Sequence, residues 1–234
     1  MLLLAHRGYS DQYPENTMKA FLEAIKKGFN GIETDVHKTK DGQLVLCHDE
    51  KINRTSNGQG YIKDYTYEEL CQFRFNYKFK DFDEKIPLLE ELLDLAKGKD
   101  VILNIELKTD KIHYQGIEEE VYQMVKDKGM LKQVMFSSFY LPSLLKLKEI
   151  DESLYLGYLF EDDYQKNKQL CFQYHLNGHP REDFLNEDEI AEFKMHNLDL
   201  NTWTVKNRFR FEYFLEHLLH AAIANRFFQS VDIL

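Results

Sequence analysis

Short apolar runs of β type alternate along this chain with stretches in which apolar residues recur every three or four positions. Residues 2–5, 31–36, 101–107, 134–137, 154–159, 170–174, 199–205 and 221–225 read as strands. Residues 17–27, 88–97, 116–128, 141–150, 186–196 and 208–220 read as helices between them, with a weaker helical stretch after Phe160. In the first helix Met18, Phe21, Leu22 and Ile25 share one face, and Gly28 follows as a stop. Regular alternation of strand and helix predicts parallel strands with helices packed outside them. Eight such units predict an α/β fold of the closed (β/α)8 barrel type. An open doubly wound sheet is the runner-up, weakened because no G-x-G-x-x-G follows the first strand.

One stretch breaks the alternation. Between Asp49 and about Lys85 there are many aromatic and charged residues but no clean amphipathic helix. It reads as an insertion after the second barrel strand, opening with a short strand at 44–46 and a turn at 57–60. Loops at the C-terminal ends of barrel strands carry the active site, so such an insertion is expected to wall the pocket. No repeat or linker divides residues 1–234, which read as one domain with the insertion embedded at about 49–85.

Composition narrows the picture further. A chain of 234 residues suits one barrel. The formal net charge of −10 argues against non-specific contact with nucleic acid, whose phosphates it would repel. Cys47, Cys71 and Cys171 are scattered and odd in number, so they read as reduced packing residues in a reducing, cytoplasmic setting. No apolar run approaches the roughly 18–20 residues of a membrane span. The apolar start, residues 2–5, lacks a basic flank and a cleavage site and reads as a buried strand, not a signal peptide.

The chemistry gathers at the ends of these runs. Glu33 and Asp35 lie two apart on a strand and therefore share a face. Two like charges side by side resist burial unless a positive group sits between them, and an all-oxygen donor set favours Mg²⁺ or Ca²⁺. Glu106 and Lys108 repeat the spacing on the next barrel strand, offering a third carboxylate to the metal and a cation to a phosphate. His6 and His48 each follow an apolar run, and near those carboxylates they read as an acid–base pair. Arg7 has the planar fork that suits phosphate oxygens. Asp49 could orient a neighbour or form a turn, and Glu15 could reach the site or merely precede a helix capped by Asn16 or Thr17. His37, His113, His175, His179, His196, His217 and His220 have no such company and read as structural or exposed. Neither G-x-S-x-G nor a P-loop occurs, which leaves serine hydrolases and P-loop NTPases unsupported.

Taken in order, Ala5-His6-Arg7-Gly8, Pro14-Glu15-Asn16-Thr17, Gly31-Ile32-Glu33-Thr34-Asp35-Val36, His48-Asp49 and Arg54-Thr55-Ser56-Asn57-Gly58-Gln59-Gly60 resemble the signature of the glycerophosphodiester phosphodiesterase family. Ile86-Pro87-Leu88-Leu89-Glu90-Glu91, Ile105-Glu106-Leu107-Lys108, Phe136-Ser137-Ser138-Phe139 and Asn201-Thr202-Trp203-Thr204-Val205 continue it. The resemblance implies a (β/α)8 barrel and a divalent metal held by Glu33, Asp35 and Glu106. It implies His6 and His48 as general acid and base, and Arg7 and Lys108 at the phosphate. Phe139 and Trp203 would then face the glycerol moiety or wall the pocket. The implied reaction cleaves a small-molecule glycerophosphodiester to an alcohol and sn-glycerol 3-phosphate, the neighbouring glycerol hydroxyl attacking first to give a cyclic phosphate. A lysophospholipase-D or sphingomyelinase-D-like reaction on a lipid is the alternative, and needs an apolar groove that the aromatic insertion would have to supply. The family's last strand usually carries Gly, apolar residues, Asp and Pro. Here residues 220–227 lack the Gly and the Asp, and 211–224 has an alternative reading as one long helix.

Overall fold

The computed structural model describes residues 1–229. Its strands are β1 (Leu2–His6), β2 (Gly31–Lys38), β3 (Leu44–Leu46), β4 (Ile102–Leu107), β5 (Val134–Ser138), β6 (Tyr155–Phe160), β7 (Asn177–Pro180), β8 (Asn201–Thr202) and β9 (Ala221–Ala224). Its helices are α1 (Met18–Lys27), α2 (Tyr67–Leu70), α3 (Leu89–Ala96), α4 (Ile117–Asp127), α5 (Leu141–Ile150), α6 (Tyr164–Tyr174), α7 (Glu187–Met195) and α8 (Arg208–Glu216). The strands pair in the order β7-β6-β5-β4-β2-β1-β9-β8, all parallel, while β3 runs antiparallel to β2. Isolated parallel bridges from Gly178 to Leu200 and from Arg181 to Trp203 join the two ends of that path. The expected (β/α)8 barrel is therefore formed, with its thinnest seam between β7 and β8.

Two apolar layers hold it. The larger lies between the helices and the outward faces of the strands. Phe21 and Ala24 of α1, Leu92 and Leu93 of α3, Val121 and Val125 of α4, Leu144 and Leu147 of α5, Phe193 of α7 and Phe214 of α8 are all fully buried there. Each such Leu, Val or Phe contributes about 1.5–3 kcal/mol by leaving water. The barrel interior holds a much smaller cluster of Leu4, Ala221 and Ile223, with Leu2 and Trp203 against it. Beside Met135 and Leu159, much of the rest of the interior is polar. Asn201 donates from Nδ2 to Nε2 of His179 at 2.8 Å, and His220 Nδ1 lies 2.8 Å from Asn201 Oδ1. Asn104 donates to Ser137 Oγ at 3.0 Å. His179 and His220, read from sequence as structural or exposed, belong to this column of bonded groups.

Residues 170–174 form the end of helix α6 rather than the expected strand, and β7 follows them at Asn177–Pro180. The apolar run was misleading because Cys171 faces the helix–sheet layer. The true strand lacks an apolar signature: it is Asn-Gly-His-Pro, its inward group is His179, and Gly157 of β6 leaves the space for that ring. A Cβ on Gly157 would stand 2.2–2.5 Å from the imidazole. Helix α8 ends at Glu216 rather than His220, and β9 forms despite its missing landmarks. In the insertion, Ile52, Ile62, Leu70, Phe75 and Ile86 make a core of their own with Val45 and Cys47, against which Tyr65, Tyr67 and Phe73 pack. Tyr65, Tyr67, Phe73 and Phe75, half of the insertion's rings, are thereby used in packing rather than in an apolar groove.

Candidate active site

The C-terminal ends of the strands surround a cavity of about 390 Å³. His6, Arg7, Glu33, His48, Glu106, Lys108, Phe139 and Trp203 line it. Asp35 stands beside them, buried, with one carboxylate oxygen lacking a hydrogen-bond partner among the described residues. Residues separated by almost 200 positions thus converge because the C-terminal halves of the strands and the segments that follow them carry these side chains at one end of the barrel. Register brings the acids together: His6 pairs across the sheet with Glu33, and Asp35 with Glu106.

Carboxylate oxygens of Glu33, Asp35 and Glu106 lie within 4.8 Å of one another, and all three residues are buried. Burial, then the negative charges of Asp35 and Glu106, push the Glu33 carboxyl well above its usual range. Burial also raises Glu106, against the pull of Lys108, whose Nζ donates to Glu106 at 2.8 Å. Burial would raise Asp35 too, but the electrostatic pull of His48, Arg7 and Lys108 holds it well below the ordinary carboxylate range. One acid stays ionised and its neighbours resist ionisation, as expected for like charges sharing a buried space. Added positive charge would relieve that conflict.

Arg7 sits in a tight turn, with φ of 59° and the following Gly8 at 78°. A Cβ on Gly8 would come within 2.8 Å of Ala20, so only glycine fits where this turn meets helix α1. The turn aims the Arg7 backbone N–H at the Glu33 side chain, 3.0 Å away, and its guanidinium at Glu15 at 2.9 Å. Its Nε lies 3.6 Å from Asp35 and has no hydrogen-bond partner among the described residues. Thr17 caps helix α1 by accepting from the Ala20 N–H. That frees Asn16 to donate to Asp35 at 2.8 Å and Glu15 to face the site.

The two histidines are held differently. Nδ1 of His6 lies 2.6 Å from Asn225 Oδ1, which leaves Nε2 towards Glu33 at 3.8 Å. Burial, and next the charge of Arg7, push His6 down to about 3, so it is a neutral imidazole near neutrality. His48 donates from Nδ1 to Asp49 at 2.7 Å, leaving its Nε2 for other work. Asp49 is in turn gripped by Arg54, which also grips Glu15. Phe139 and Trp203 meet edge to face with centroids 5.5 Å apart, and the indole N–H donates to the His179 carbonyl at 2.8 Å. Lys108 lies 5.8 Å above the Phe139 ring.

All nine side chains expected from the sequence are gathered here. Sequence reasoning did not single out Asn104 or Asn225, and met Arg54 only inside a motif. The period-two rule applied backwards from Glu106 points to Asn104. Nothing local pointed to Asn225, which follows the short, alanine-rich β9.

A family model described as the glycerophosphoryl diester phosphodiesterase family matches residues 6–227. Among curated relatives, a glycerophosphodiester phosphodiesterase of Caldanaerobacter subterraneus is 43% identical over 162 residues, covering 68% of this chain and 67% of that protein. Among solved structures, a phosphodiesterase of Oleispira antarctica in complex with the product sn-glycerol-3-phosphate has a TM-score of 0.82 at 26% identity, covering 96% of this chain and 93% of that one. A structure from Agrobacterium tumefaciens aligns with a TM-score of 0.88 over 97% of this chain and 94% of that one, at 21% identity, a likeness of fold. No helix among the described residues is long and apolar enough to cross a membrane.

Proposed function

The chain belongs to the glycerophosphoryl diester phosphodiesterase family, and we propose that it hydrolyses glycerophosphodiesters to an alcohol and sn-glycerol 3-phosphate by metal-dependent acid–base catalysis. The observation that carries this reading is the trio Glu33, Asp35 and Glu106, buried within 4.8 Å of one another beside two histidines in one cavity. A divalent cation fits these residues. Their donors are all oxygen, Asp35 keeps an unpartnered buried oxygen, and Glu33 is held from ionising by its neighbours' charge. Held there, Mg²⁺ or Ca²⁺ would supply Lewis-acid stabilisation of charge on phosphoryl oxygens.

The chain's own residues do the rest. Arg7 and Lys108 place cationic donors where a phosphodiester's free oxygens would lie. Neutral His6 presents an unprotonated Nε2 suited to taking a proton from the attacking hydroxyl. His48, its orientation and tautomer fixed through Nδ1 by Asp49, suits delivery of a proton to the leaving alcohol oxygen. The first step then forms one P–O bond and breaks another, moving one proton off the nucleophile and one onto the leaving group. Phe139 and Trp203 form a rigid wall for the carbon skeleton of the glycerol.

Purified protein incubated with glycerophosphocholine, glycerophosphoethanolamine, glycerophosphoglycerol and a lysophospholipid, with and without EDTA, tests this reading. Release of glycerol 3-phosphate from the water-soluble diesters, abolished by EDTA and by Glu33→Ala or Asp35→Ala, is the expected result. Turnover confined to the lipid, or full activity of either variant under chelation, would overturn it.

A further inference from the structure

A second cavity, about 540 Å³ in volume, opens beside the first. His48 and Lys111 line both, so the imidazole stands on the sill between them. If His48 delivers a proton to the leaving oxygen, the alcohol part of the substrate extends past it into this second space. The floor and walls come from the insertion, chiefly Lys51, Asn53, Arg54 and Tyr61.

The charges there are unequally engaged. Asp49 is held by Arg54 at 2.8 Å and Glu50 by Lys111 at 3.1 Å. The aromatic face of Tyr61, 39% exposed, already lies beneath two ammonium groups, Lys51 at 4.6 Å and Lys63 at 5.6 Å. A cationic alcohol entering this space finds its carboxylates neutralised and its ring occupied by like charge, which removes both ordinary ways of holding a quaternary ammonium. A hydroxyl-rich alcohol finds the opposite. The Lys51 ammonium has no carboxylate partner among the described residues, and the Tyr61 hydroxyl makes no hydrogen bond there. The Asn53 amide uses only its oxygen, for the Gly60 N–H at 2.8 Å.

We propose that this second cavity is the subsite for the leaving alcohol and that it selects hydroxyl-rich alcohols, neutral or anionic, over choline and ethanolamine. The inference rests on the phosphodiesterase reading and adds the substrate class to it. Its competitor is a disposition in which the alcohol turns the other way, towards the exposed Glu161 on the rim of the first cavity, where a cation would be welcome.

The decisive experiment compares kcat/KM for glycerophosphoinositol, glycerophosphoglycerol, glycerophosphocholine and glycerophosphoethanolamine, in the wild type and in Lys51→Glu and Glu161→Gln. The wild type is expected to favour the first two by about fivefold or more, the scale of one or two solvent-facing polar contacts. Lys51→Glu should erase or invert that ratio with the thermal midpoint unchanged, since Lys51 is exposed, and Glu161→Gln should leave it alone. Equal or better turnover of the choline diester by the wild type would overturn the proposal. So would a ratio unmoved by Lys51→Glu, or one moved by Glu161→Gln instead. If none of the four diesters is cleaved in the presence of metal, the phosphodiesterase reading itself has failed, and this one with it.

Discussion

Arg54 makes two hydrogen bonds to Asp49, at 2.8 and 2.9 Å, and two to Glu15, at 2.7 and 2.9 Å. Asp49 orients His48, and Glu15 holds Arg7. One guanidinium therefore ties the proton-transfer side of the pocket to the phosphate side. Only a planar fork can satisfy two carboxylates in this way, so lysine does not substitute for it. Arg54→Ala and Arg54→Lys are both expected to lower kcat by about 10–100-fold, the usual effect of losing a group that orients a catalytic side chain. Steady-state kinetics should show KM changing less than kcat, with the circular dichroism spectrum intact. Unchanged kcat in both variants would mean that His48 and Arg7 need no such clamp. The clamp explains what a linear reading leaves out. His6, Glu33, Asp35, His48, Glu106 and Lys108 are legible because each breaks or ends an apolar run. Asn225 is not, because its importance lies in a partner 219 positions away.

At the scale of elements, the β6–β7 pair shows where pattern fails and contact decides. Its register sets Gly157 against Asn177 and Leu159 against His179, and the His179 ring fills the place of the missing Gly157 side chain. Gly157→Ala should cost about 1–3 kcal/mol in urea unfolding, the range for overfilling a packed interior. Adding His179→Ala should recover part of that loss, because the two changes act on one space. Additive losses would show that the ring and the glycine do not share it. The same geometry accounts for the misplaced sixth strand. Period-two hydrophobicity reports a strand only when its inward face is apolar, and here that face is an imidazole bonded to Asn201.

For the molecule as a whole, buried neutral histidines couple the fold to acid. His37 is fully buried between the Tyr114 hydroxyl and the His48 carbonyl, and burial pushes it down to about 4; His179 is pushed down to about 3 by burial and then by His220. A folded-state value below the unfolded one means that the unfolded chain binds more protons across the interval. Stability is then fully present above the unfolded value of about 6.5 and is lost as pH falls towards 4 and 3. The raised carboxyls of Glu33 and Glu106 act with the opposite sign, so the wild type alone does not isolate the histidines. Comparing urea midpoints of wild type and His37→Gln at about pH 7.5 and about pH 5 does. The wild type should lose more stability than the variant on acidification, by up to about 1.4 kcal/mol per pH unit below 6.5. Equal losses would mean that His37 is not held neutral by the fold.

Periodicity carried the alternation of strand and helix everywhere but at the sixth strand, and the residue types ending the apolar runs marked the side of the barrel that bears the chemistry. These follow from backbone geometry, in which side chains repeat every two residues on a strand and every 3.6 on a helix. The carboxylate trio, the histidine pair and the two cations could be named for the same reason, since register is shared by strands that end together. Three features waited on the folded molecule: the closure between β7 and β8, the polar column inside the barrel and the clamp through Arg54. Each is a contact between residues distant in sequence, and free energy of that kind exists only once the chain has brought both partners out of water.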